Sequence, residues 1–244
     1  MERCDYVNDA LKLIQNTEGL TFGTDALLLA GYVNTRLKQG CELGGGSGII
    51  SMLLLTREKL SRAVSLEVQS EYAKLTEKNA ELNGLTERLS SICTDVRNYV
   101  SDTEFDLVYS NPPYMRSDSG KPNESDKKNI ARHEIHGGIS DFCSAAKRLL
   151  KFGGTFAVVY RPDRLIDLIY SMREHGIEPK RMTFVHADTD SEPSMVLLEG
   201  RKGGKSSLLL TKPLIIYKDK SHIAYSDDMN YIMENGSFPS SFKR

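Results

Sequence analysis

Cysteine is scarce: Cys4, Cys41, Cys93 and Cys143 are the four in 244 residues, and no two form a CxxC pair. That argues against a disulfide framework and against a metal site, and it fits a reducing, cytoplasmic setting. No apolar run approaches the roughly 20 residues of a membrane span, and Met1–Asp5 does not open a signal peptide. Net charge is nearly absent too, at −1, which excludes binding long nucleic acid by bulk charge alone. There is no internal repeat and no low-complexity tract. What remains is an ordinary globular composition, 39% apolar and 27% charged. The length suits one α/β domain with a sizeable core.

Local charge departs from the mean. Arg201, Lys202, Lys205, Lys212, Lys218 and Lys220 crowd residues 199–220, against Glu199 and Asp219. Arg116, Lys121, Lys127, Lys128 and Arg132 crowd residues 115–133, against Asp118, Glu124 and Asp126. Such runs are as often solvated loops as ligand surfaces. Lys127, Lys128, Arg132, Arg201 and Lys202 are the candidates for phosphate contact.

From about residue 38 to 200, short β-rich runs alternate with helical patterns, which argues for βαβ units around a mainly parallel sheet. Strands are expected at 40–43, 63–67, 89–93, 105–110, 155–160, 181–185 and 195–199, and helices near 47–57, 69–83, 140–151 and 162–175. The last two strands are too close for a crossover helix, so they should pair antiparallel. Earlier, Thr24 can cap a helix that is apolar nearly all round and so should be buried. Residues 208–217 read as a further strand and 236–244 as a frayed tail. The expectation is a Rossmann-like α/β fold. It has a mostly parallel seven-stranded sheet with one antiparallel strand and helices on both faces. The chain would be one domain: segment 1–37, core 38–200 and extension 201–244, as a monomer or weak dimer.

Two motifs carry chemistry. Glu42-Leu43-Gly44-Gly45-Gly46-Ser47-Gly48 follows a short strand and opens a helix. Glycines there allow a tight turn and close approach of a ligand. The dinucleotide spacing GxGxxG would need glycine at Ile49; this GxGxG with an acid before it resembles the cofactor loop of class I methyltransferases. Glu67, at the end of the second strand, can accept both ribose hydroxyls of a nucleoside, and Asp95 follows the third strand, where an adenine would lie. Taken alone, Glu67 could be a solvated strand end and Asp95 a helix cap.

The second motif, Asn111-Pro112-Pro113-Tyr114, follows the fourth strand. Two prolines fix two φ angles and remove two donors, leaving a stiff turn that presents carbonyls. An exocyclic amine on a planar ring has its lone pair delocalised. The Asn111 oxygen and the Pro112 carbonyl can each accept one of its hydrogens, and Tyr114 offers a stacking face. No metal or strong base is required when the methyl donor is already a sulfonium. The motif selects planar amines; adenine, cytosine, guanine and a glutamine side chain all qualify.

With Phe22–Ala30, Lys78–Leu85, Ala131–Glu134 and Leu198–Gly203, these motifs resemble the bacterial tRNA (adenine-N(6))-methyltransferase family that modifies the adenosine 3′ of the anticodon of a valine tRNA. The resemblance implies S-adenosylmethionine as cofactor and tRNA as substrate. It implies cofactor contacts from Thr24, Asp25, Glu42, Gly44, Gly46, Gly48, Glu67, Val68, Asp95, Val96 and Asn111, with Thr24 and Asp25 closing over the methionine end. Asn111, Pro112, Pro113 and Tyr114 would hold the flipped base. Gly45 departs from the bulkier residue of many relatives, and tolerance to substitution is expected there. Arg132, His133 and Glu134 could steer phosphate or tie down their loop. Other readings are a protein glutamine methyltransferase, an enzyme acting on another RNA base, or a non-catalytic cofactor-binding module. Only about 40 residues precede the glycine loop, too few for the helical substrate domain of the glutamine enzymes.

Overall fold

The computed structural model describes residues 2–8, 10–16, 23–33, 36–112 and 138–243. Its centre is a nine-stranded sheet in the order β10-β8-β9-β7-β6-β3-β4-β5, with β11 also on β8. These strands are β3 (Leu37–Leu43), β4 (Leu60–Glu67), β5 (Leu89–Cys93), β6 (Phe105–Ser110), β7 (Leu150–Tyr160), β8 (Ile177–His186), β9 (Pro193–Lys202), β10 (Leu209–Leu210) and β11 (Leu214–Ile215). The run from β5 to β7 is parallel, as connections through α2 (Ile49–Thr56), α3 (Ser70–Leu82) and α4 (Ile139–Leu149) allow. β9 lies antiparallel to both β7 and β8, because residues 187–192 are too few for a crossover. The reversed strand therefore falls where the spacing predicts it.

Alternation along the central strands feeds two cores. Leu107 and Tyr109 of β6 and Ala157 and Val159 of β7 face one side, toward α1 (Thr24–Tyr32) and α2. Val108, Phe156 and Val158 face the other, toward α4 and α5 (Leu165–Glu174). Both faces are covered, which is why these strands read as continuous apolar runs. Helix α1 is buried from Ala26 to Tyr32, as its all-round apolar sequence requires. Its cap is Gly23, not Thr24: Thr24 is the first helical residue, and no side chain caps the end.

Three elements lie outside the expected pattern. β1 (Glu2–Asn8) and β2 (Leu11–Asn16) form an antiparallel hairpin. Helix α6 spans Asp227–Asn235, capped by the Ser226 hydroxyl accepting from the Met229 N–H. The segment expected to fray is instead part of the core, with Phe238 and Phe242 fully buried. Residues 208–217 do not form one strand either. Pro213, with no N–H to give, separates β10 from β11.

The hairpin is held by side chains. Asn79 accepts the Ile14 N–H at 2.7 Å and donates to the Ile14 carbonyl at 3.0 Å. Asn83 does the same to Lys12, at 2.9 and 2.8 Å. Four residues on a helix advance about 6.0 Å, and two on a strand about 6.6 Å. The two amides thus stand in for a neighbouring strand.

Candidate active site

The carboxyl ends of β3, β4, β5 and β6 meet at one edge of the sheet. There Gly44, Gly46 and Gly48 adopt φ of 72°, 56° and 78°, and Gly48 caps α2. A Cβ on Gly46 would meet nothing within 4 Å, so that position opens on space rather than on protein. Its backbone is fixed from two sides: its N–H donates to Glu67 Oε2 at 3.0 Å, and its carbonyl accepts from Thr76 Oγ1 at 2.9 Å. Asn79 Nδ2 donates to the Ser47 carbonyl at 3.0 Å, tying the loop to α3. Glu67 also accepts the Gln69 N–H on Oε1 at 2.9 Å. A carboxylate has about four lone-pair sites, so two bonds leave capacity for two more. Val68 beside it exposes its apolar side chain.

Other expected contact residues are engaged within the protein. Glu42 is one of them. It is 1% exposed, accepts the Ser51 N–H at 3.3 Å and the Ser51 hydroxyl, and sits beneath the loop. Burial pushes its carboxyl up to about 8, against the Ser51 hydrogen bonds and with the Glu67 charge adding to the rise. Ser51 Oγ also lies 2.6 Å from the Tyr109 hydroxyl. Asp95 starts a turn, not a helix: it accepts the Arg97 N–H at 2.8 Å and pairs with the Arg97 guanidinium. Val96 buries its side chain, and its carbonyl accepts from Arg148 at 2.7 Å. A larger residue at Gly45 requires the Ser65 hydroxyl to turn away. A Cβ there would meet Ser65 Oγ at 1.8 Å, and that hydroxyl is buried with no hydrogen-bond partner among the described residues.

β6 brings the second motif to the same edge. Glu42 pairs with Tyr109 across the sheet, and Ser110 Oγ donates to the Leu43 carbonyl at 2.7 Å. Asn111 therefore emerges beside Gly44, followed by buried Pro112. Asn111 Nδ2 donates to Asp25 Oδ2 at 2.7 Å. Thr24 is exposed at the same end of α1. Pro113, Tyr114, Lys127, Lys128, Arg132, His133 and Glu134 lie outside the described residues.

The family model for the methyltransferase small domain matches residues 16–169. The chain belongs to that family. A tRNA1(Val) (adenine(37)-N6)-methyltransferase of Phocaeicola vulgatus is 27% identical over 177 residues, covering 72% of this chain and 74% of that protein. One of the same name from Dyadobacter fermentans is 28% identical over 204 residues, covering 83% and 84%. The crystal structure of a predicted O-methyltransferase from Agrobacterium tumefaciens superposes with a TM-score of 0.71 at 22% identity, over 88% of this chain and 98% of that one. That likeness concerns the fold. The strand ends that carry Gly44–Gly48, Glu67, Asp95 and Asn111 are thus those of a methyltransferase domain, within the matched residues.

The methyltransferase domain does not bring Arg201 and Lys202 to this edge. They end antiparallel β9, and Arg201 pairs with Thr155 in the middle of β7, away from its carboxyl end. Lys202 Nζ donates to the Leu150 carbonyl. A cavity of about 780 Å³ opens on that far side, lined among others by Asp106, Lys151, Arg181, Glu199 and Arg201. Its charges are largely committed within the protein, in the Lys151–Asp106 and Arg181–Glu199 pairs. No group of three metal-ligating side chains occurs among the described residues. No described helix is long and apolar enough to cross a membrane.

Proposed function

We propose that this chain transfers a methyl group from S-adenosylmethionine to the 6-amino group of an adenine in tRNA. The observation that carries the reading is the emergence of Asn111 and Pro112 beside the Gly44–Gly48 loop, at one edge of a methyltransferase fold. The names of the relatives support adenine in tRNA as the target.

The open space over Gly46 and the unfilled acceptor capacity of Glu67 fit a nucleoside cofactor. Gly44, Gly46 and Gly48 would lie under it, Glu67 would accept its ribose hydroxyls, and Val68 would cover one face of its adenine. When bound, it supplies a methyl group on a positively charged sulfur. The protein's own part is positioning. The Asn111 side-chain oxygen and the Pro112 carbonyl accept the two hydrogens of the target amine, which aims the nitrogen lone pair. Both acceptors stand on a rigid strand end, so little reorganisation is needed. A base must leave its stack to reach them, and unstacking is cheapest in a single-stranded loop such as the anticodon loop.

The test is incubation of an unmodified valine tRNA transcript with methyl-labelled cofactor, followed by nucleoside analysis. Label in N(6)-methyladenosine is expected from the wild type. Asn111→Ala should bind S-adenosylhomocysteine almost normally and lose turnover by about two orders of magnitude or more. Label in protein glutamine rather than in RNA would replace this reading with the amide one.

A further inference from the structure

Both oxygens of the Asp25 carboxylate are engaged. Oδ1 accepts the Ala26 backbone N–H at 2.8 Å, and Oδ2 accepts from Asn111 Nδ2 at 2.7 Å. An ionised carboxylate has no hydrogen to give. The group of Asn111 that faces it must therefore be the NH2, and the planar amide then directs its carbonyl oxygen away from Asp25. The flipped amide would set two acceptors against each other at hydrogen-bond distance, losing one charge-assisted bond and adding repulsion.

An exocyclic amine offers hydrogens. A side chain that holds it must present an oxygen; a flipped Asn111 would present NH2 to NH2. We propose that Asp25 is a positioning residue for methyl transfer, locking the Asn111 amide in the orientation that presents its oxygen to the target amine. The inference rests on the reading that Asn111 holds that amine. It departs from the expectation that Asp25 serves the cofactor's methionine end.

The lock stands on a rigid element. Helix α1 is buried from Ala26 to Tyr32. At its far end, Lys59 Nζ donates to the carbonyls of Ala30 and Gly31 at 2.8 and 3.1 Å, and the Tyr32 hydroxyl lies 2.9 Å from Thr183 Oγ1. At the near end, Gly23 leaves room for the carboxylate: a Cβ there would come within 2.7 Å of Asp25 Oδ1. The pair joins residues 86 apart in sequence, so it is made only when α1 and β6 are both in place.

The experiment is a double-mutant cycle in the full chain, read as kcat on the tRNA transcript and as S-adenosylhomocysteine affinity by calorimetry. Asp25→Ala should lower kcat about tenfold or more with cofactor affinity kept within about twofold. Asp25→Asn should lower kcat several-fold, since an amide at 25 accepts from one flip of Asn111 and donates to the other. Asn111→Asp should lose about a hundredfold, because two carboxylates then face each other. Asp25→Asn combined with Asn111→Asp restores one donor facing one acceptor and again presents an oxygen to the amine. It should recover at least tenfold over Asn111→Asp alone, which a merely structural aspartate would not produce. Asn111→Ala run in parallel separates the failures. Retained turnover in Asn111→Ala defeats the amine-holding reading itself. An inactive Asn111→Ala beside unchanged kcat in both Asp25 variants, or a double variant no better than Asn111→Asp, overturns the positioning role alone. So does an Asp25→Ala that weakens cofactor binding and leaves kcat intact.

Discussion

At the residue scale, Glu42 has a measurable signature. Its carboxyl stands at about 8 in the folded protein against an ordinary value of 4.5, chiefly through burial. The folded state then holds a proton that the unfolded chain has released. The stability linked to Glu42 is full below about 4.5 and is lost as pH rises toward 8. Urea unfolding across pH 4.5 to 8 should show declining stability from this group, and Glu42→Gln should flatten that slope. An equal slope in both proteins would mean that Glu42 is ionised in the fold. The acid before the first glycine was legible in the sequence as part of a cofactor loop. Its burial was not, because nothing in Glu42–Gly48 announces that Ser51, one helical turn on, turns inward to meet it. Asp25 was legible only as a cofactor contact at the methionine end, since its partner Asn111 lies far along the chain.

At the scale of elements, Asn79 joins three: it binds β2 through Ile14, belongs to α3, and holds Ser47 in the glycine loop. Asn79→Ala leaves an N–H and two carbonyls without their partner in a partly buried setting. It should cost about 2–3 kcal/mol, the scale of unsatisfied buried groups, and weaken S-adenosylhomocysteine binding several-fold. Asn83→Ala, whose bonds to Lys12 are exposed, should cost less and leave the loop unaffected. Denaturant unfolding and calorimetry on the two variants check the contrast; equal losses would show that the loop contact is idle. The central strands could be placed from sequence because both faces are covered, which leaves apolar runs such as Leu107–Tyr109 and Phe156–Val159. The β1–β2 hairpin could not, since only Leu11, Leu13 and Gln15 among its described residues are buried and its supports are distant asparagines. Phe238 and Phe242 were masked in the same way by the polar residues around them.

At the scale of the molecule, the sheet separates two edges with different work. The carboxyl ends carry the methyl-transfer residues. The far edge carries a structural hub, where Arg181 pairs with Glu199, donates to the Phe242 carbonyl at 3.3 Å and to the Tyr32 carbonyl, and lies 3.8 Å over the Tyr32 ring. Phe242 stacks edge-on against Phe238, which meets Tyr32 in turn. Phe242→Ala should cost about 3–5 kcal/mol, as core phenylalanines do, with kcat of the folded fraction unchanged at 25 °C. Urea unfolding with assays below the transition would show it, and a loss under about 1 kcal/mol would mean that the segment packs loosely. The reversal of β9 against β8 followed from the short spacing between them, and the placement of the basic residues did not: reversed β9 carries Arg201 and Lys202 to the far edge. The paired amides of α3 have one more consequence, for insertions and deletions. They measure β2 in steps of two residues, so one residue gained or lost between Lys12 and Ile14 puts the two clamps out of step, and both cannot close at once.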